Sequence, residues 1–260
     1  CIQNFIGTEV ASALCNALGT KVTVGRVDLG FLNRLIIDDV TIYDKADKAM
    51  IRASRMSANI DYYPLTRGKI SVSSAQLFGL RGIFYKKDSV TAANYQFVID
   101  SLSSKDNSPK KALNLRINSL VIRHAAIKYD RYDIPKTPQR FNAAHIDIKD
   151  ISAHVILPVI TDDNINITLK KLSFKEASGL DVRNVSFAAH ADKHHAYVKD
   201  LNIKLPQSSV DIDSVGATYK YTGDSPELAS ARFSGSIERS FVTPCDLTCF
   251  IPQAKAFIQK

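Results

Sequence analysis

One spacing of apolar residues recurs along the chain: apolar, any, apolar, any, any, apolar, any, apolar. It appears at Val22-Val24-Val27-Leu29, Leu35-Ile37-Val40-Ile42, Ile51-Ala53-Met56-Ala58, Ile70-Val72-Ala75-Leu77 and Leu115-Ile117-Leu120-Ile122. It returns at Ile146-Ile148-Ile151-Ala153, Ile167-Leu169-Leu172-Phe174, Leu180-Val182-Val185-Phe187, Ala196-Val198-Leu201-Ile203 and Val210-Ile212-Val215-Ala217. Seven of these ten copies carry non-apolar residues at all four remaining positions. A random chain of 260 residues with 45% apolar content gives about one such match.

On a helix, at about 100° per residue, the four apolar positions scatter around the axis, so the copies are not helical. On a strand, the odd step between the two apolar pairs breaks the period of two and throws them onto opposite faces. Either a bulge at the centre restores a single face, or each strand serves two surfaces as it bends. The central pairs are Gly25-Arg26, Asp38-Asp39, Ser54-Arg55, Ser73-Ser74, Asn118-Ser119, Lys149-Asp150, Lys170-Lys171, Arg183-Asn184, Lys199-Asp200 and Asp213-Ser214, with no apolar side chain among them. The expectation is a strand kink, solvated on its outside, in every copy. From Ile167 to Val210 successive copies start 13, 16 and 14 residues apart, room for one strand and one tight turn. That spacing favours consecutive antiparallel strands over a β-helix. Ten strands at ~4.8 Å extend about 48 Å, and such a sheet must curl over its apolar face or be covered. The fold class expected is mainly β: a long curled antiparallel sheet forming a groove, with a helix at its start and short helices in the middle and at the end.

The remaining segments supply those helices. Ile2, Ile6, Val10, Leu14 and Leu18 recur every four residues before Gly19, a helix with a glycine stop that should close one end of the sheet. Tyr95, Val98, Ile99 and Leu102 have helical spacing, and residues 103–111 form a polar linker. Thr243-Pro244 is a helix start, with Leu247, Phe250, Ile251, Ala254, Phe257 and Ile258 on one face and Pro252 kinking it. A single domain follows, divided into a capping helix (1–19), a first strand block (20–88), a helix and linker (89–112), a second strand block (113–243) and a helical segment (244–260). Cys1 at the start and Lys260 inside an amphipathic stretch suggest a fragment of a longer chain. A lipoprotein start at Cys1 is the weaker reading, because a helix follows without a tether.

Lys plus Arg at 34 against Asp plus Glu at 26 gives a net charge of +8, but the basic residues are scattered and form no nucleic-acid stripe. No apolar run approaches the roughly 20 residues of a membrane-spanning helix. The chain carries no glycine-rich phosphate loop, no GxSxG, no HExxH and no recognisable pair of catalytic carboxylates, so neither an enzyme nor a cofactor is expected. A carbohydrate-processing β protein would need two carboxylates facing one cleft. His190, His194 and His195 sit between repeat copies and read as a solvated turn rather than a metal site. Cys245 and Cys249 read as small buried residues rather than a disulfide. The sequons at Asn166 and Asn184 overlap strand positions, where a glycan would disrupt pairing. The apolar rows themselves allow two readings: an ordinary closed β core, or an open trough for acyl chains. In the second, the candidate lining residues are Val22, Val24, Leu35, Ile37, Ile51, Ile70, Val72, Leu115, Ile117, Ile146, Ile148, Ile167, Leu169, Leu180, Val182, Val198, Val210 and Ile212.

Three stretches carry a family resemblance. Residues Leu18-Gly19-Thr20-Lys21-Val22-Thr23-Val24-Gly25, Leu35-Ile36-Ile37-Asp38-Asp39-Val40-Thr41-Ile42-Tyr43-Asp44 and Asn94-Tyr95-Gln96-Phe97-Val98-Ile99-Asp100 resemble the amino-terminal region of the TamB branch of the AsmA-like family. Asp246-Leu247 and Phe250-Ile251-Pro252 are similar to the short helix that follows a strand block in that family. The resemblance implies a protein of the bacterial envelope, anchored in the inner membrane by a helix before Cys1, with this region in the periplasm and the full chain continuing past Lys260. It implies a groove carrying phospholipid between inner and outer membranes through contact with the acyl chains. It also implies a competing role, a translocation and assembly module that works with an outer-membrane barrel partner in outer-membrane protein insertion or secretion. No catalytic residue is implied.

Overall fold

The computed structural model describes residues 11–12, 14–16, 18–30, 34–61, 71–103, 118–138, 140–157, 160–161, 164–222 and 225–250. They form one mixed sheet of 14 strands with little helix. In chain order the elements are β1 (Val22–Thr23), β2 (Arg26–Gly30), β3 (Arg34–Tyr43), β4 (Ala49–Asp61), β5 (Ser71–Phe78), β6 (Arg81–Lys86), α1 (Gln96–Ser103) and β7 (Ser119–Arg131). There follow β8 (His145–Ile156), β9 (Ile160–Thr161), β10 (Asn164–Glu176), β11 (Asp181–Asp192), β12 (His195–Lys204), β13 (Ser209–Thr222), β14 (Ser225–Ile237) and α2 (Pro244–Leu247). Neighbours run β1-β3-β4-β5-β7-β8-β10-β11-β12-β13-β14, with β2 beside β3, β6 between β4 and β7, and β9 beside β10. The sheet is the expected long curled one.

The pairing corrects one expectation. Not every neighbour is antiparallel: β5 and β6 both run parallel to β7. A parallel neighbour needs a crossover of a dozen or more residues, and the chain between Lys86 and Ser119, which includes α1, supplies it. Elsewhere, from β7 to β14, consecutive hairpins build the expected meander.

The central pairs do interrupt the ladders. Register shifts fall across Ser73, Lys149-Asp150, Lys170-Lys171, Arg183-Asn184, Asp200 and Asp213. Between β3 and β4, Asp38 pairs with Arg55 and Val40 with Ala53, so Asp39 and Ser54 stand between the paired positions. The first copy is cut in two at Val24-Gly25, giving β1 and β2 on the same neighbour. Asp39, Asp150 and Asp200 take φ of 56°, 55° and 52°, the left-handed region that Asp tolerates better than most residues.

On β7 the expectation was incomplete. A kink within β7 lies at Arg123-His124, where His124 has φ 53°; Asn118 stands at a bend just before the strand, and Leu115 and Ile117 lie outside the described residues. A further copy of the spacing, Leu120-Ile122-Ala125-Ile127, is centred on Arg123-His124. It was hidden because Val121 and Ala126, at its intervening positions, are themselves apolar.

Several kinks lie side by side. Asp39 faces Ser54, a Cβ on Gly79 (φ 64°) would lie 2.6 Å from Ser54 Oγ, Gly79 N–H donates to Arg123 O, and Lys199 pairs with Ser214. The sheet is therefore creased, with polar pairs on the outside of the fold and apolar residues in its inner angle. That geometry explains the core. Val27, Ile37, Val40, Ala53, Ala125, Ile151, Leu169 and Val182, each immediately beside a kink pair, are all buried. Replacing Asp200 by Val should cost about 1–2 kcal/mol, because a β-branched side chain clashes in the left-handed region, whereas Asp200→Asn should be nearly neutral. Urea unfolding of the two variants measures the difference.

The amino-terminal expectation holds where it can be seen. The described residues between 11 and 18 are helical, and Leu14, Cys15 and Leu18 pack against Val22, Val27, Ile37, Val40 and Ala53. Ile2, Ile6 and Val10 lie outside the described residues. No helix among the described residues is long and apolar enough to cross a membrane.

Candidate functional site

The register turns the repeat into continuous rows. Val27, Ile37, Met56, Leu77, Ile122, Ala153, Leu172, Val185, Ile203 and Val210 are successive cross-strand partners from β2 to β13. A second row runs Leu29, Leu35, Ala58, Ala75, Leu120, Val155, Leu169 and Phe187. No charged residue interrupts either row. Because cross-strand neighbours sit about 5 Å apart on one face, each row is an unbroken hydrocarbon strip.

The face is only partly covered. At its first edge the helical residues near Leu14 and Leu18 bury Val22 and Ile37, while Val24, Leu35 and Ile51 remain half-buried. Further along, Ile146, Ile148, Ile167, Leu180, Val198, Val210 and Ile212 are half-buried, and Leu169 and Val182 are buried in the angle of the crease. Val72 lies on β5 opposite Ile60. Ile70, Leu115 and Ile117 lie outside the described residues.

The face continues beyond the repeat copies. Ile165, Ala191, Ala196, Ala217 and Phe233 form another row, and Ile167, Ala189, Val198, Val215 and Gly235 lie alongside it. Ile165, Ala189, Ala191, Ala196, Val198, Val215, Ala217 and Phe233 line an apolar hollow of about 330 Å³. Phe233 is 80% exposed and Val215 42%, so the hollow is open. Sequence reasoning missed Ile165, Ala189, Ala191 and Phe233. The signal for them was simple alternation away from the central pairs, at Ile165-Ile167 on β10, Phe187-Ala189-Ala191 on β11 and Ala231-Phe233 on β14.

Aromatic rings and the carboxyl-terminal segment occupy the end of the sheet at which β3, β6, β7, β10 and β12 finish. Phe84 stands edge-on to Tyr95, just before α1, with ring centroids 5.5 Å apart, and a Cβ on Gly82 would lie 2.7 Å from the Phe84 ring. Asp44, in the β3–β4 turn, is buried and accepts the Ala46 N–H at 2.8 Å, the Lys48 N–H at 2.9 Å and the Tyr85 hydroxyl at 2.9 Å. Burial alone would raise its pKa, but those donors outweigh it and hold the carboxyl below its ordinary value. Its stabilising contribution is thus present above the unfolded-state pKa of about 3.9 and lost as pH falls through the lower folded value. Asp44→Asn should cost about 1–3 kcal/mol at neutral pH and flatten the acid limb of the stability curve, measured by urea unfolding between pH 2 and 7.

After β14 the chain turns back across the β12–β13 hairpin. The Thr243 hydroxyl donates to Gln207 O at 2.6 Å, and Asp246 accepts from the Gln207 N–H at 2.9 Å and the Ser208 hydroxyl at 2.6 Å. Phe141 N–H then donates to Cys249 O, and Phe141 packs on Phe250. The helix start at Pro244 is present, but α2 ends at Leu247, and residues 251–260 lie outside the described set. Cys245 and Cys249 are both free thiols; Cys249 is buried, which pushes its pKa up, while Cys245 is half-buried.

The expected solvated turn is confined to Lys193-His194 between β11 and β12; His195 opens β12, and His190 lies within β11, paired with Asn166 and Tyr197. Asp192 accepts the backbone N–H groups of His194 and His195, which hold its carboxyl far below the ordinary range. His190 is engaged by Asn166 at 2.8 Å and stacks on Tyr197. Asn166 and Asn184 both lie within paired strands. No family model matches the chain, and no curated protein matches it.

Proposed function

We propose that this chain is a segment of a lipid conduit, its curled apolar face holding phospholipid acyl chains while the head groups stay in water. The observation that carries the reading is the pair of uncharged aliphatic rows kept in register across the sheet and left half-open, together with the open hollow beside Val215. Each methylene transferred from water onto such a face gains about 0.8 kcal/mol, so a few methylenes in contact suffice for retention. A hydrocarbon strip also binds without regard to position along it, as movement through a conduit requires. The resemblance to the TamB branch of the AsmA-like family supports the same reading and suggests the periplasm, between inner and outer membranes, as its setting.

Native mass spectrometry of the chain purified from bacterial membranes tests the proposal. Bound phospholipid, released when the protein is unfolded, is the expected result. Protein that emerges free of lipid, and takes none up from labelled vesicles, overturns it. The second reading, an assembly module for outer-membrane proteins, draws on the edge strand β14, whose Phe233 and Ile237 are 80% and 72% exposed. An exposed strand edge with large apolar side chains is a template for pairing with another strand.

A further inference from the structure

A hollow of about 540 Å³ lies mainly on the opposite face from the apolar rows. It follows from the crease. Where Asp39, Ser54 and Gly79 bend their strands, the outward residues Ser57, Gln76 and Val121 form a floor, and Arg34, Arg55, Arg123 and Phe78 stand around it. These residues alternate with the inward Leu35, Met56, Leu77 and Ile122, so they project away from the apolar face.

The charges in this hollow are unequally satisfied. Arg55 clasps Asp38 with two hydrogen bonds, Nε to Oδ1 at 2.6 Å and Nη2 to Oδ2 at 3.2 Å, and this contact holds the Asp38 carboxyl below its ordinary range. Asp39 lies at the rim beside Gly25, its Oδ2 3.4 Å from where a Cβ on that glycine would be. Among the described residues Arg34 donates to the neutral hydroxyl of Ser57, at 3.3 Å, and neither Arg34 nor Arg123 has an ion pair. Among the described residues, then, two guanidinium groups around one floor have no carboxylate clasping them, with Phe78 as an exposed aromatic wall.

We propose that this outer hollow binds a phosphate ester, the oxyanion taken by Arg34 and Arg123 and the organic part resting on Phe78. Guanidinium forks match phosphate oxygens two at a time, and a pocket of this volume has room for more than the phosphate alone. Of the two apolar rows only Leu77 also borders this hollow, whose binding of an anion does not depend on what the rows bind.

The test is titration of the intact chain with inorganic phosphate and with phenyl phosphate, followed by NMR of the arginine side chains, and co-sedimentation with vesicles containing phosphatidic acid. Saturable binding is expected, with phenyl phosphate at least threefold tighter than inorganic phosphate and the preference lost in Phe78→Ala. Arg34→Gln and Arg123→Gln should each weaken binding at least tenfold, and Arg183→Gln, on the same face but outside the hollow, should not. Gln76→Glu, which adds a negative charge to the floor while leaving every ion pair intact, should weaken binding similarly and guards against a misfolded arginine variant. Sedimentation that depends on Arg123 identifies a lipid head group as the source; saturation by phenyl phosphate without sedimentation identifies a soluble ester. Absence of saturable binding in both assays, or equal weakening by Arg183→Gln, overturns the proposal.

Discussion

An Ile37→Asp variant should lose its cooperative unfolding transition and most of its native strand signal in circular dichroism at neutral pH. Ile37 is 8% exposed and belongs to the cluster of Val22, Val27, Val40 and Ala53, with Leu14, Cys15 and Leu18 packed over it. Truncating a buried isoleucine to alanine costs about 2–5 kcal/mol, and an unpaired carboxylate in the same place adds several more. Against a total stability of about 5–15 kcal/mol, the sum is most or all of what holds the fold together. Ile37→Val, which removes one methylene, should cost only about 0.5–1.5 kcal/mol and keep the transition. If Ile37→Asp instead unfolds cooperatively with a loss below about 2 kcal/mol, the helix near Leu14 is not a lid on the first strands.

Ile37 also marks what the sequence could and could not say. Its place on the inward face was legible, because the spacing Leu35-Ile37-Val40-Ile42 permits one face only if the strand kinks at Asp38-Asp39, and the ladder breaks there. Its burial was not legible. The same aliphatic residue types fill the inner angle of the crease, as at Leu169 and Val182, and the half-open stretches, as at Val198 and Ile212. Which is which depends on how sharply the sheet folds and on what packs over it, and both are tertiary properties. A charge at Ile37, Leu169 or Val182 therefore tests folding before it tests any ligand.

The direction of β5 and β6 relative to β7 was hidden for a related reason. Periodicity records which face a residue takes and not which way the neighbouring strand runs. The only sign was the long interval between the copies starting at Ile70 and Leu115, against 13 to 16 residues in the later hairpins. On β7 the hydrophobic Val121 and Ala126 masked a further centre at Arg123-His124, and only the match beginning at Leu115 was legible. The outer hollow was beyond reach of the sequence, since Arg34, Gln76 and Arg123 come together only through the β3-β4-β5-β7 order.

Val215→Asp separates the uses of the inward face, because Val215, although it follows the kink at Asp213-Ser214, lines the open hollow and is not buried. Val215 is 42% exposed, so a carboxylate there remains hydrated in the empty protein, and the thermal midpoint should shift by no more than a few degrees. With an acyl chain laid over it, the same carboxylate loses its water, at a cost of several kcal/mol. A loss near 2.7 kcal/mol is already about a hundredfold in affinity. Photo-crosslinking to a lipid with a diazirine in its acyl chain should accordingly fall at least tenfold in Val215→Asp and in Phe233→Asp. Lys170→Asp, on the outside of a kink, changes the charge by two units yet should crosslink as the unmodified chain does. The contrast matters because a general electrostatic effect on vesicle encounter would act through Lys170 and spare neither class. Should all three variants capture lipid equally with their folds intact, the apolar rows are not a conduit. The exposed β14 edge, with Phe233 and Ile237 presented to a partner strand, then becomes the better account of the face, and Phe233→Asp should weaken that strand pairing instead.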